Sequence, residues 1–213
     1  MFSLDSKFMQ IINRITDLLI LNLLFVVTSI PVVTIGASMT AMYTVCFRFD
    51  EDWEEGVFKT YFRAFRSNFR QATVIWLILA LILFLCVGDF LICLPQTNGL
   101  RYLAVVAAIL GFLALLTFSL VFPLLSRFDN TVKNTLKNAV LLSMAYAPHA
   151  ILLGLLNAVP VGLFLVSPYL AARFSPLFLL IYHAAAAYLG SKVLKKPFRK
   201  LMPPEEEPEK ITE

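Results

Sequence analysis

Charged residues are scarce in this chain, and their scarcity excludes most water-soluble folds. Asp, Glu, Lys and Arg make up 15% of its residues and apolar side chains reach 59%, whereas soluble domains have about 25% and about 45–50%. A soluble fold of this length could not hide so much apolar surface, but a bilayer takes the place of the missing polar shell. We therefore expect an integral membrane protein.

Sequence motifs that carry chemistry are also missing. The three cysteines, Cys46, Cys86 and Cys93, form no CxxC or Cys/His spacing, so they indicate neither a zinc site nor a disulfide framework. No G-x-S-x-G, P-loop or H-E-x-x-H motif is present. We predict that the protein is not an enzyme and that it holds no metal or other cofactor.

The apolar residues form continuous runs, which indicate an all-α, polytopic transmembrane helical bundle of about five spans. A span needs about 20 apolar residues, and a β-barrel would show alternating residues instead. A single membrane domain is predicted over residues 1–200, with a disordered acidic tail over 201–213. The predicted spans lie near residues 18–47, 73–94, 102–126, 139–167 and 174–191.

The first apolar run allows two paths through the membrane. It extends from Leu18 to Phe47, which is longer than one straight span requires, and Pro31 and Gly36 divide it. We favour one long, kinked span. The alternative is a re-entrant pair of half-helices, which is tolerated only where protein or water covers the backbone.

The distribution of basic residues predicts the orientation, because cytoplasmic loops carry an excess of Lys and Arg. With five spans, 14 of the 18 basic residues fall on the side of the C-terminus, and with a re-entrant first run 16 do. Both paths predict a multi-pass protein with a cytoplasmic C-terminus. They differ in the side on which the N-terminus lies.

Residues 56–71 carry the most regular polar pattern, an aromatic stripe and a basic stripe about 100° apart around a helix axis. This pattern predicts an amphipathic helix at the inner membrane surface that contacts anionic lipid. The alternative is a docking helix for a protein partner, and neither interpretation needs a nucleic acid. The two stripes, together called the Phe/Arg face, consist of Phe58, Phe62, Phe65 and Phe69 and of Lys59, Arg63, Arg66 and Arg70.

Polar side chains within the predicted spans are the other candidates, because such residues often mark a functional site. Histidines near a carboxylate could relay protons or hold a metal ion. Hydrogen bonding between helices is the structural alternative, and we favour it. The candidates are Asn22, Asp89, His149, Asn157 and His183.

Several segments near the start of the chain share the pattern of a known family. Residues 29–37 read Ser-Ile-Pro-Val-Val-Thr-Ile-Gly-Ala, after Asp17-Leu18 and the segment Leu-Asn-Leu-Leu at 21–24. Residues 61–65 read Tyr-Phe-Arg-Ala-Phe, and residues 68–72 read Asn-Phe-Arg-Gln-Ala. Over roughly the first third of the chain this pattern resembles the YesL-like family of bacterial membrane proteins. Beyond it, only the spacing of the spans agrees.

The resemblance implies a role that composition and spacing alone do not suggest. The YesL-like family has no established activity, but its genes often lie beside carbohydrate ABC transporters and sensor kinases. This neighbourhood implies a multi-pass protein of the bacterial cell membrane with an accessory or regulatory role in carbohydrate ABC uptake. Its partners would be ABC permease or sensor-kinase subunits. The alternative is a small autonomous transporter or channel that uses His149, Asn157 and His183.

Overall fold

The computed structural model describes residues 3–49, 55–96 and 99–201, and every regular element in these ranges is helical. The predicted all-α bundle is therefore confirmed, while residues 202–213 of the predicted tail lie outside the described residues. Five helical segments are long and apolar enough to cross a membrane: Phe8–Ser29, Val57–Cys93, Arg101–Leu125, Ala147–Val166 and Pro168–Arg199. The α-helices are α1 (Ser3–Ser29), α2 (Ile35–Arg48), α3 (Val57–Cys93), α4 (Arg101–Leu125), α5 (Val132–Ala145), α6 (Ala147–Val166), α7 (Pro168–Leu177) and α8 (His183–Arg199).

The chain reverses direction between α1 and α2, so the structure differs from the single kinked span predicted over 18–47. Helix α1 ends at Ser29, because Pro31 has no backbone N–H and disfavours a helical residue before it. Arg14 of α1 donates to the carbonyl of Phe49, which follows α2, and its guanidinium lies 4.4 Å from the centre of that ring. The two helices are therefore a hairpin, in which the end of α2 lies beside the middle of α1.

The hairpin packs against α3 through a close backbone approach at Gly36. A Cβ atom added to Gly36 would lie 2.5 Å from the carbonyl oxygen of Ala72 and 2.8 Å from Cβ of Trp76. Ala37, Ala41 and Ala72 are fully buried in the same core. Such small residues let membrane helices come close enough for extensive van der Waals contact.

A cluster of hydroxyl groups joins the hairpin to α3. The Thr28 hydroxyl of α1 lies 2.9 Å from that of Ser38 in α2 and 2.6 Å from that of Tyr61 in α3. Tyr61 is fully buried. In an apolar interior each of these polar groups requires a partner, so the cluster favours this one arrangement of the three helices.

Helix α3 runs without interruption through the segment predicted as a separate interfacial helix (56–71) and the predicted span (73–94). Its 37 residues extend about 55 Å at about 1.5 Å per residue, well beyond a hydrocarbon core of about 30 Å. No glycine or proline occurs between residues 57 and 87 to break it. Tyr61 and Ala64 are buried on its inner side. The Phe/Arg face therefore lies on an extension of a spanning helix.

The predicted span 139–167 is divided between two helices. Helix α5 ends at Ala145, Tyr146 adopts a non-helical conformation, and α6 begins with Pro148 in its first turn. Proline is tolerated there because the missing N–H would have no acceptor within the helix. Helix α5 is held by Gln71, whose amide donates to the carbonyl of Asn130 at 2.6 Å and lies 3.2 Å from the Thr135 hydroxyl.

The ends of several helices meet at one end of the bundle, which we call the basic end. The Phe198 ring of α8 lies 5.7 Å from that of Phe47 in α2 and 5.6 Å from that of Phe128 after α4. Helix α3 begins and α5 lies at this same end. Among the described Lys and Arg side chains, only Arg101 and Arg173 belong to the opposite end.

The contact at Gly36 predicts the effect of a single methyl group. We expect Gly36→Ala to lower the free energy of unfolding by about 1–3 kcal/mol, because a backbone carbonyl cannot rotate away from the new Cβ. Gly162→Ala is the matched control, since a Cβ atom added to that helical glycine would meet no atom of another part of the protein within 4 Å. Thermal unfolding of both variants in detergent measures the difference. Equal stability of the two would contradict the close packing.

Candidate functional site

The Phe/Arg face is exposed along the first half of α3. Phe58, Phe62 and Phe69 are 63%, 37% and 40% exposed. All four basic side chains of the face are also exposed, and Phe65 is half-buried. The structure therefore presents the two predicted stripes side by side on one outward surface.

The aromatic part of this face is a continuous strip of ring contacts. Ring centres are 4.7 Å apart between Phe58 and Phe62 and 5.5 Å apart between Phe65 and Phe69. Tyr61 joins the two pairs, at 5.7 Å from Phe62 and 6.3 Å from Phe65. Because Tyr61 is itself held in the hydroxyl cluster of the core, the strip is attached to a rigid support.

A polar cleft of about 330 Å³ lies beside the Phe/Arg face at the basic end. We call it the basic cleft, because arginines from α2, from α3 and from the segment after α4 line it. Helices α2 and α3 form its walls, and the segment that follows α4 closes it. Its polar lining residues are Thr44, Arg48, Thr60, Arg63, Ser67, Asn68, Ser126, Arg127 and Asp129.

The carboxylate of Glu55 pairs with two of the arginines that line this cleft. Arg63 donates to both of its oxygens, with Nη1–Oε1 and Nη2–Oε2 distances of 2.7 and 2.5 Å. Arg48 Nη1 lies 3.6 Å from Oε2, and the Thr60 hydroxyl lies 3.5 Å from it. Hydrogen bonding from Arg63 is the main cause that holds the pKa of the Glu55 carboxyl below its usual range. Glu55 is therefore ionised at neutral pH, and its pairing with Arg63 is lost only as the pH falls through that lowered pKa.

Asn22 has a structural role in the bundle. Its side chain is fully buried, and its Nδ2 donates to the carbonyls of Phe178 and Leu179 at 3.1 and 2.7 Å. Its Oδ1 accepts from the backbone N–H of Ala184 at 3.0 Å. These groups belong to the π-helical segment Phe178–Tyr182 and the first turn of α8, where the regular hydrogen-bond pattern is interrupted.

The two histidines lie in different parts of the bundle. His183 Nδ1 is 3.1 Å from the carbonyl oxygen of Phe178, and its ring packs 5.1 Å from that of Phe25. The neighbouring Tyr182 hydroxyl donates to the carbonyl of Leu156, which lies seven residues beyond His149, or about 10 Å along α6. His149 instead packs on Tyr146, with ring centres 5.7 Å apart.

The remaining intramembrane candidates do not join the histidines. Asn157 donates to the carbonyl of Leu153 at 2.8 Å and reaches the Tyr43 hydroxyl. Asp89 is exposed near the far end of α3. Within the described part of the chain, no group of three His, Cys, Asp or Glu side chains is close enough to hold a metal ion. The structure thus brings two of the five candidates together, because Asn22 and His183 both contact the carbonyl oxygen of Phe178. His149 and Asn157 contact other residues.

The basic cleft is the feature that the sequence analysis missed. Of its arginines only Arg63 belongs to the predicted Phe/Arg face, because Arg48 and Arg127 stand at the ends of other helices. The available signal was the charge pair of Arg48 and Glu55 on either side of a short connection. Its meaning depends on the packing of α2 against α3, which places Arg48 and Arg63 around the same carboxylate.

Comparisons with known proteins support the resemblance seen in the sequence. Residues 18–90, from α1 to the last turns of α3, match the family described as "Protein of unknown function, DUF624". The resemblance to the YesL-like family is confirmed. The matched segment contains the last part of α1, all of α2, the close contact at Gly36 and the whole Phe/Arg face, whereas Arg127 lies beyond it.

A curated relative extends the similarity further along the chain. The protein is 28% identical over 169 residues to the "Uncharacterized protein YteU" of Bacillus subtilis (strain 168), a match that covers 77% of this chain and 73% of the relative. No solved structure matches the chain. The YesL-like resemblance thus identifies related sequences without an assigned activity.

The hydrogen bonds of Asn22 predict a stability defect. We expect Asn22→Leu to lower the free energy of unfolding by about 1–3 kcal/mol, because it leaves buried backbone groups without partners. Asn138→Leu is the control, since that side chain is exposed on α5. Thermal unfolding in detergent compares the two variants. An Asn22 variant as stable as the control would show that the amide does not stabilise the bundle. Asn22 would then again be a candidate functional residue.

Proposed function

We propose that this membrane protein is a non-enzymatic accessory or regulatory component of a carbohydrate ABC uptake system. Its contact surface is the Phe/Arg face, and its partner is an ABC permease or sensor-kinase subunit. The observation that carries the proposal is the exposure of this aromatic and basic surface on a helix whose other side is fixed in the core. The gene neighbourhood implied by the YesL-like resemblance supplies the class of partner.

The composition of the face suits a protein interface. Aromatic residues and arginine are enriched at such interfaces and supply most of their strong contacts. The face is already ordered, because Tyr61 holds the strip of rings and α3 continues into its span. Binding would therefore cost less conformational entropy than it would for a flexible segment.

The orientation of the chain supports a partner on the cytoplasmic side. All described Lys and Arg side chains except Arg101 and Arg173 belong to the basic end, and the positive-inside rule assigns such an end to the cytoplasm. Both termini then face the cytoplasm of a bacterial cell. The Phe/Arg face lies on the same side, where cytoplasmic domains of permeases and kinases can reach it.

A role as an autonomous transporter has less support. It would need polar groups that converge on one path, whereas His149, Asn157 and His183 make separate contacts with their own surroundings. Asn157 donates to a backbone carbonyl, and the His183 ring lies within hydrogen-bond distance of another. Such contacts are expected of polar residues that help membrane helices pack.

Charge reversal on the Phe/Arg face tests the proposed contact. We expect Arg66→Glu combined with Arg70→Glu to reduce recovery of permease or kinase subunits roughly tenfold, because exposed ion pairs contribute up to about 1 kcal/mol each and reversal adds repulsion. The measurement is co-purification of the full-length protein from native membranes after mild crosslinking.

The matched control is Arg101→Glu combined with Arg173→Glu, which makes the same change of charge at the opposite end of the bundle. Its partner recovery should equal that of the unmodified protein. If the Arg66/Arg70 variant also recovers its partners in full, the face is not their contact. If that variant loses only its attachment to anionic vesicles, the face is a lipid anchor and the proposed partner contact is wrong.

The hairpin also predicts the location of the N-terminus. We expect tags at the two ends of the chain to be protected from protease in intact cells and to be cleaved only after the membrane is permeabilised, because α1 and α2 return the chain to its starting side. A tag inserted beside Gly99, between α3 and α4, serves as the control for the outer side. Cleavage of the N-terminal tag in intact cells would support the single kinked span instead.

A further inference from the structure

The basic cleft lies beside the Phe/Arg face and shares Arg63 with it. We infer that it binds a phosphate ester, either the headgroup of an acidic phospholipid or a soluble phosphorylated small molecule. The inference rests on the arrangement of charges at the ends of α2, α3 and α4. It is independent of the protein contact proposed for the Phe/Arg face.

Three arginines line the cleft, and each comes from a different element. Arg48 ends α2, Arg63 lies in the second turn of α3, and Arg127 follows α4. A guanidinium presents a planar fork of donors that matches the oxygens of a phosphate group, and several such forks around one cavity are typical of phosphate recognition. The contact at Gly36 holds α2 against α3, so the positions of Arg48 and Arg63 are set by packed helices, whereas Arg127 belongs to the connection after α4.

The carboxylate of Glu55 shows how Arg63 and Arg48 bind an anion. Its two oxygens receive the Arg63 fork, and one of them also faces Arg48 and the Thr60 hydroxyl. Its side chain is 34% exposed, and the Arg48 contact of 3.6 Å is longer than a good hydrogen bond. A phosphate group carries more acceptor oxygens and about −1.5 to −2 charges. It can therefore displace this carboxylate and draw Arg48 closer.

Asp129 indicates which chemical groups the ligand carries besides its phosphate. Its carboxylate lines the same cleft, where it would repel a bare anion but would accept hydrogen bonds from hydroxyl groups. A phosphate ester of a polyol suits this lining, because its phosphate would pair with the arginines and its hydroxyls would donate to Asp129. Both glycerol-based lipid headgroups and small sugar or polyol phosphates have this chemistry.

The experiment measures binding to the purified full-length protein. The soluble probes are glycerol 3-phosphate and inorganic phosphate, added in detergent at ionic strength held constant with chloride. The lipid probe is phosphatidylglycerol in nanodiscs, compared with nanodiscs of phosphatidylcholine alone. We expect saturable thermal stabilisation by glycerol 3-phosphate or by phosphatidylglycerol, beyond that given by inorganic phosphate. The probe that acts identifies the source of the phosphate.

The variants separate this site from the Phe/Arg face. Arg48→Gln should weaken binding roughly tenfold, the effect of one lost charge-assisted hydrogen bond, and leaves the Phe/Arg face unchanged. Glu55→Gln should strengthen binding by about the same factor, because it removes a competing carboxylate. Arg101→Gln, at the opposite end, should bind as the unmodified protein does. Arg48→Lys, which keeps the charge without the fork, replaces Arg48→Gln if that variant does not fold.

Three results would overturn the inference. The first is the absence of saturable stabilisation by every phosphate probe. The second is equal binding by the Arg48 variant and the unmodified protein. The third is weaker binding by Glu55→Gln, which would make Glu55 a structural support of Arg63 rather than a stand-in for the ligand. Loss of partner recovery in the Arg66/Arg70 variant with phosphate binding intact would leave this inference standing.

Discussion

The backbone contact between Gly36 and Ala72 determines most of the arrangement described above. It places α2 directly against α3, and the hydroxyl cluster of Thr28, Ser38 and Tyr61 holds α1 on the same pair. Because the helices are antiparallel, the end of α2 then meets the start of α3. The proximity of Arg48, Glu55 and Arg63, and with it the basic cleft, follows from this one close approach.

Helix α3 is long enough to carry the Phe/Arg face at one end and a membrane span at the other. A helix that continues from the Phe/Arg face into a span cannot tilt at one end without moving at the other. Its inner side is fixed by Tyr61 and Ala64, whereas its outer side presents rings and cations. A partner bound at this face would therefore act on the bundle through a rigid element, as an accessory or regulatory subunit requires.

Hydropathy and periodicity predicted where the helices lie in the sequence better than they predicted how the chain turns between them. The span predicted over 102–126 agrees closely with α4, and the Phe/Arg stripes lie on one exposed surface as expected. Hydropathy carries no information on whether the chain reverses at Pro31, so the hairpin was not the favoured path. The continuity of α3 was missed because a change from polar to apolar residues resembles a boundary. The basic cleft combines side chains from three elements, and no local pattern reports such a juxtaposition.

The hydrogen bonds of Asn22 impose an order on the assembly of the protein in the membrane. The groups that satisfy this amide belong to the π-helical segment Phe178–Tyr182 and to α8, more than 150 residues later. During synthesis, α1 enters the bilayer long before Phe178 and Ala184 exist. Its polar side chain must then be satisfied by water, lipid headgroups or the insertion machinery. The packing of Phe178, Leu179 and Ala184 against α1 replaces these temporary partners, so burial of Asn22 follows the insertion of that later segment.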